Sequence, residues 1–128
     1  MFQGVSEAEH AFIGSYLRTK TVPRGKAIIR QGNAGDSIFL IARGIANVQV
    51  SEGDVVNHVA TLYAGDFFGE AALLHGTPRN ATTIAATPCS LYELKRQDLD
   101  RICAQHPKIR QTLEEVDRER VTLGTMKY

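Results

Sequence analysis

The chain has 128 residues, a formal net charge of +1, 43% hydrophobic residues and 23% charged ones. That is one domain's worth of chain with one modest core and an ordinary globular balance, which argues against disorder. No apolar run approaches the roughly 20 residues that cross a bilayer, no signal-peptide pattern opens the chain, and the small charge draws it neither to nucleic acid nor to an anionic membrane, so a cytoplasmic protein without direct membrane insertion is expected.

In chain order, the first expected element is a helix over about residues 6–18. Ser6-x-x-Glu9 is a capping-box pattern, and Phe12, Ile13, Tyr16 and Leu17 follow at helical spacing. From about residue 20 to 95 the chain changes to short apolar or alternating runs: 27–29, 37–42, 45–50, 55–62, 82–86 and 91–94. Glycine-rich turns separate them, among them Gly32-Asn33-Ala34-Gly35-Asp36, Arg43-Gly44 and Ala64-Gly65-Asp66. Strands so short and evenly spaced indicate an antiparallel sandwich or barrel and not a βαβ sheet. Helical character returns at about 97–105, where Leu99, Ile102 and Cys103 share a face. Pro107 stops that helix and opens another over about 107–123. Its stripe, Ile109, Leu113, Val116, Arg120 and Leu123, has an arginine in it, while Glu114, Glu115, Asp117, Arg118 and Glu119 read as a solvated face. Residues 1–128 are expected to form a single domain: a mainly β fold with flanking helices.

Cys89 and Cys103 lack a C-x-x-C partner and read as reduced thiols in or near the core. His10, His58, His75 and His106 are scattered, none at metal-ligand spacing, so no metal is expected. Gly35, Gly44 and Gly65 read as turn glycines, and Asp36 and Asp66 as side chains that cap turns through Asx bonds.

The chemistry concentrates in residues 65–82, an excursion between strands. Gly69 followed by Glu70-Ala71-Ala72-Leu73-Leu74 and closed by Gly76 reads as one short helix. A helix that begins at a glycine offers free backbone N–H groups to an anion that can approach closely. Arg79, fixed by Pro78, has the planar fork for a bidentate grip on phosphate oxygens. Glu70 accepts hydrogen bonds only and would repel a phosphate, so it suits a hydroxyl such as a ribose 2′-OH. An acceptor for sugar beside donors for phosphate suggests a nucleotide.

Phe68-Gly69-Glu70-x-Ala72-Leu73-Leu74 with Pro78-Arg79-x-Ala81-Thr82 resembles the phosphate-binding cassette (about 68–82) of the cyclic-nucleotide-binding domain family. Members of that family include the catabolite activator protein, the regulatory subunits of cAMP-dependent kinase and the cyclic-nucleotide-gated channels. Gly32-x-x-Gly35-Asp36-x-Ile38-Phe39-x-Ile41-x-x-Gly44 is similar to the family's glycine pattern, and the likeness runs the length of the chain. Within the family the chain looks most like the ligand-binding domain of bacterial cyclic-nucleotide-gated potassium channels. The resemblance implies an antiparallel β-roll, a jelly-roll-like double-stranded β-helix, with an N-terminal helix, a short phosphate-binding helix and two C-terminal helices.

It also implies a ligand, cAMP ahead of cGMP, and no cofactor. Glu70 would bind the ribose 2′-OH and Arg79 the cyclic phosphate, helped by backbone N–H groups around Gly69, Ala71 and Ala72. Phe68 belongs to the same cassette. Val48 and Leu62 would line base and sugar, although the residues alone support core packing equally well. Asn80 departs from the Ser, Thr or Ala common in members, and its amide suits either the phosphate or a guanine amino group, which leaves base selectivity open. Arg120 would be a lid that stacks on the purine from the last helix; by itself it reads as a snorkelling side chain. The expected role is a sensor whose last helix reports occupancy to an effector domain of a channel, transporter or regulator. The rivals are a degenerate copy serving as an interaction module, a cupin-like metal enzyme whose clustered His and Glu ligands are absent, and a DNA reader, for which this chain alone carries no helix-turn-helix. No catalytic residue is expected.

Overall fold

The computed structural model describes residues 16–122, with the side chains at 116, 117 and 119–122 outside the description. Among the described residues, eight strands are followed by or interleaved with three helices. The strands are β1 (Arg18–Val22), β2 (Ala27–Ile29), β3 (Ser37–Arg43), β4 (Ala46–Glu52), β5 (Val55–Leu62), β6 (Phe67–Phe68), β7 (Thr82–Ala85) and β8 (Cys89–Lys95). The helices are α1 (Glu70–His75), between β6 and β7, then α2 (Arg96–Gln105) and α3 (Pro107–Thr122). The strands form two antiparallel four-stranded sheets, ordered β1-β8-β3-β6 and β2-β7-β4-β5, which do not join into a closed barrel among the described residues. Of the two arrangements that the strand spacing allowed, the sheets take the sandwich-like one.

Alternation along the strands sorts side chains between two cores, because successive residues of a strand point to opposite faces. On β4, Ala46, Val48 and Val50 are buried while Asn47 and Gln49 are half-buried. On β3, Phe39 and Ile41 enter an inner core between the sheets with Val48, Leu62, Phe68 and Leu91. Ile38 points the other way, into an outer cluster with Leu73, Leu94, Leu99, Ile102, Ile109 and Leu113. The helices cover that outer face: α1 packs on β3 and α3, and α2 on β8 and α3.

Two elements differ from the sequence expectation. The helix at about 6–18, with its capping box at Ser6 and Glu9, lies outside the described residues as far as residue 15, and Arg18, its expected last residue, instead opens β1. Of the five residues of β1 only Val22 is buried, since the strand is an edge paired to β8 alone. An exposed polar edge carries no alternating apolar signal, so its partner decides its conformation. The second difference is β6, whose two residues pair with Phe39 and Leu40 of β3; a pair that short has no periodicity to read.

Candidate functional site

The cassette between β6 and β7 is anchored at its start by two adjacent phenylalanines on opposite faces. Phe67 joins the outer cluster and Phe68 the inner core. Phe68 is fully buried and stacks on Phe39 with ring centroids 5.4 Å apart. Gly69 then turns the chain at φ 90°, a left-handed conformation that a side chain would strain, and α1 begins at Glu70. Gly76, at φ 64°, ends the helix, and its N–H donates to Ala72 O at 2.9 Å. The first four residues of α1 are buried, including Glu70 at 0% exposure. A carboxylate so enclosed on a six-residue helix is not there for solubility.

Arg79 is the centre of the arrangement. It is 5% exposed, and its Nη1 donates to Gly69 O and its Nη2 to Ser37 O, each at 2.8 Å. Its backbone is tied to the loop before β3: Arg79 N–H donates to Asn33 O at 2.8 Å, and Gly32 N–H donates to Arg79 O at 2.7 Å. Burial pulls the Arg79 pKa down from the ordinary guanidinium value, against the opposing pull of Asp36, Glu70 and Glu93. The guanidinium has more N–H donors than these two carbonyls engage, and its buried Nε has no hydrogen-bond partner among the described residues. A buried cation with spare donors, pinned at both ends, has the chemistry to receive an anion.

Gly35 corrects one expectation. Gly44 and Gly65 hold positive φ, at 103° and 96°, as turn glycines do, but Gly35 has no such φ. A Cβ on Gly35 would collide with Arg79 Nε and Cζ and would lie 2.8 Å from its Cδ. It is glycine because the guanidinium packs directly on its backbone. Gly69 makes the matching approach, since a Cβ there would lie 2.7 Å from Arg79 Nη1. Asp36, expected as a turn cap, acts on Arg79 through its charge, and its carbonyl accepts the Arg96 N–H at the start of α2 at 2.7 Å. Asp66 does close its turn, its Oδ2 accepting the Tyr63 N–H at 2.8 Å.

The other singled-out residues fall in three places. Ala71 and Ala72 are buried in α1. Asn80 is half-buried beside Arg79. Val48 and Leu62, 0% and 4% exposed, belong to the inner core. The Arg120 side chain lies outside the described residues. A cavity of about 280 Å³ opens on the β1 and β2 side of Arg79, with Lys20, Arg30, Asp36 and Glu93 among its walls, but Glu70, Val48, Leu62 and Asn80 are not. Inside its rim Ser37 Oγ donates to Glu93 Oε2 at 2.8 Å. Sequence reasoning missed Ser37, whose contribution is a backbone carbonyl, and Gly35, whose signal was present in the Gly35-Asp36 pair but was read as a turn.

Both cysteines are free and buried, and burial raises each thiol pKa. Among the described residues no group of three or more His, Cys, Asp or Glu side chains is placed to hold a metal ion, and no helix is long and apolar enough to cross a membrane.

Comparison with known proteins identifies the family. The family model of the cyclic nucleotide-binding domain matches residues 19–106. The chain belongs to the cyclic-nucleotide-binding domain family. Among curated relatives it is 38% identical over 120 residues to a cyclic nucleotide-gated potassium channel of Rhizobium etli, covering 94% of this chain and 32% of the channel. It is 41% identical over 86 residues to a cAMP-dependent protein kinase regulatory subunit of Mycosarcoma maydis, covering 67% of this chain and 16% of that protein. Among solved structures, the catabolite activator protein of Thermus thermophilus superposes with a TM-score of 0.91 at 27% identity, over 96% of this chain and 58% of that one. The chain thus spans about a third of the channel's length and less of the kinase subunit's. It has the family's jelly-roll-like fold with C-terminal helices, and the family is one of ligand-binding regulatory domains found in channels, kinase subunits and transcription regulators.

Proposed function

We propose that this cyclic-nucleotide-binding domain binds one cyclic nucleotide, cAMP ahead of cGMP, with Arg79 as the partner of the cyclic phosphate. The observation that carries the reading is the buried Arg79 guanidinium, packed between Gly35 and Gly69 and keeping donors that Gly69 O and Ser37 O do not engage. The phosphate takes those donors together with backbone N–H groups around Gly69, Ala71 and Ala72. The ligand's negative charge offsets what burial costs the guanidinium, beyond what the three nearby carboxylates supply. Glu70 accepts from the ribose 2′-OH, Val48, Leu62 and Phe68 wall the base and sugar, and Asn80 bears on base selectivity. Arg120 closes over the purine from α3. Because only differential affinity moves an equilibrium, the ligand signals by favouring the closed position of α3. The relatives' printed names support a role as the regulatory module of a larger effector, a channel foremost.

A second reading has an observation of its own. The bonds of Arg79 to Gly69 O and Ser37 O tie the cassette to β3, and a structural module without a ligand would keep an arginine for that alone. Calorimetric titration with cAMP and with cGMP, repeated on Arg79→Ala, separates the two. Charge-assisted hydrogen bonds contribute about 1.5–3 kcal/mol each, so the variant is expected to lose on the order of 100-fold in affinity. Absence of binding heat with both nucleotides would leave the structural module as the function.

A further inference from the structure

Thr83 is a fully buried residue for which packing alone gives no reason. It lies on β7, flanked by β2 and β4, directly opposite Ile29 on one side and Val48 on the other. Residues directly opposed across antiparallel strands share a face, so Thr83 points with Val48 toward the interior of the roll. Both are 0% exposed. Among the described residues Thr83 Oγ1 has no hydrogen-bond partner. Thr82 next to it differs: its Oγ1 accepts the Gln31 N–H at 2.9 Å and its side chain is half-buried.

A hydroxyl buried without a partner costs free energy that valine, of almost the same shape and equally suited to a strand, would not incur. The inner core around it is built from Val48, Leu62, Phe68 and Ala85, all apolar. Proteins orient small molecules with a few polar groups placed on otherwise apolar walls. Arg79, four residues earlier in the chain, fixes the charged end of the proposed ligand. The uncharged end of the same ligand would lie against the wall to which Val48 and Thr83 both belong.

We infer that Thr83 is a specificity residue whose hydroxyl hydrogen-bonds the sugar–base portion of the bound cyclic nucleotide. The inference rests on the ligand-binding reading above and adds a contact to it. A threonine hydroxyl both donates and accepts, so it serves a ribose hydroxyl or a polar group of the purine. Either is the same chemistry: a neutral hydrogen bond inside an apolar pocket, satisfied only when the ligand is present.

The test is calorimetric titration of the unsubstituted protein, Thr83→Val and Thr83→Ser with the nucleotide the unsubstituted protein binds more tightly, alongside thermal melting without ligand. Loss of one neutral hydrogen bond in a closed pocket predicts about a tenfold weaker Kd in Thr83→Val. Its Tm is expected to be unchanged or raised, because the hydroxyl has no partner among the described residues to lose. Thr83→Ser, which keeps the hydroxyl, is expected to stay within about threefold of the unsubstituted Kd. The tenfold penalty should vanish for whichever analogue, 2′-deoxy or lacking the purine's exocyclic group, has lost the atom that Thr83 contacts; a penalty that persists with both would overturn the contact. Unchanged affinity in Thr83→Val would overturn it too, and assign the hydroxyl to a buried water. Equal losses in both variants with lowered Tm would mark Thr83 as a packing residue and overturn it as well. No binding by the unsubstituted protein would instead reject the ligand-binding reading, and this inference with it.

Discussion

The two faces of β3 belong to two differently built parts of the molecule. On one face Phe39 and Ile41 enter the inner core, where strand lies against strand; on the other Ile38 enters the outer cluster, where helices lie on a sheet. A strand is held by hydrogen bonds to its neighbours, and to move it must break them. A helix keeps its hydrogen bonds within itself, so α1 and α3 are attached largely by side-chain packing. Under the proposed function the inner part would hold the ligand in a set geometry and the outer part would report it. The cassette touches both, through Phe68 on one side and Phe67 and Leu73 on the other.

The largest expected effect tests whether the two parts are separable. Leu113, fully buried in the outer cluster, should cost about 2–5 kcal/mol of stability on substitution by alanine, measured by denaturant unfolding. Amide exchange in that variant should speed in α2 and α3 well before it speeds in β4 and β7. Equal acceleration in both would make the domain a single cooperative unit and break the comparison.

Gly35→Ala probes the inner part at its tightest contact. The added methyl meets the Arg79 guanidinium and is expected to cost about 1–3 kcal/mol while also weakening nucleotide binding. A stable variant with unchanged affinity would show that Arg79 adjusts freely, contrary to a pinned receptor. Smaller again is Arg120→Ala, expected to weaken binding by about tenfold or less, the scale of one cation–π contact and below the loss at Arg79. Unchanged amide protection of α3 with and without ligand would remove the lid from the mechanism.

The smallest signal comes from the thiols. Cys89 lies in the inner core and Cys103 in the outer cluster, and burial raises both thiol pKa values. Each therefore carries less thiolate than a free cysteine at the same pH, and maleimide labelling of the native protein should be slow. If the helices open apart from the roll, Cys103 labels first and Leu113→Ala accelerates it alone. Simultaneous labelling would favour global opening.

The legible parts of this protein were those whose cause is local. The apolar run Ile38 to Ile41 and the alternation of Ala46 to Val50 are present in the chain before it folds, and so is the helix between Gly69 and Gly76, whose end glycines take positive φ. The joint presence of Glu70 and Arg79 on that excursion pointed to the family. β1 was not legible, because four of its five residues are exposed and only its partner β8 makes it a strand. Gly35 was visible as a glycine but not as a contact, since its neighbour in space, Arg79, is distant in sequence.

By itself, then, the sequence determined most of the elements, their order and the family, which depend largely on residues near one another in the chain. The tertiary structure decided which faces meet. It tied Arg79 to Gly69 O and Ser37 O, laid Gly35 on the guanidinium, and turned Thr83 inward beside Val48 with its hydroxyl unanswered by the described residues. Those outcomes depend on close approach between segments far apart in the chain. Such approach is set by the packing of two sheets and three helices together, which no local pattern of residues encodes.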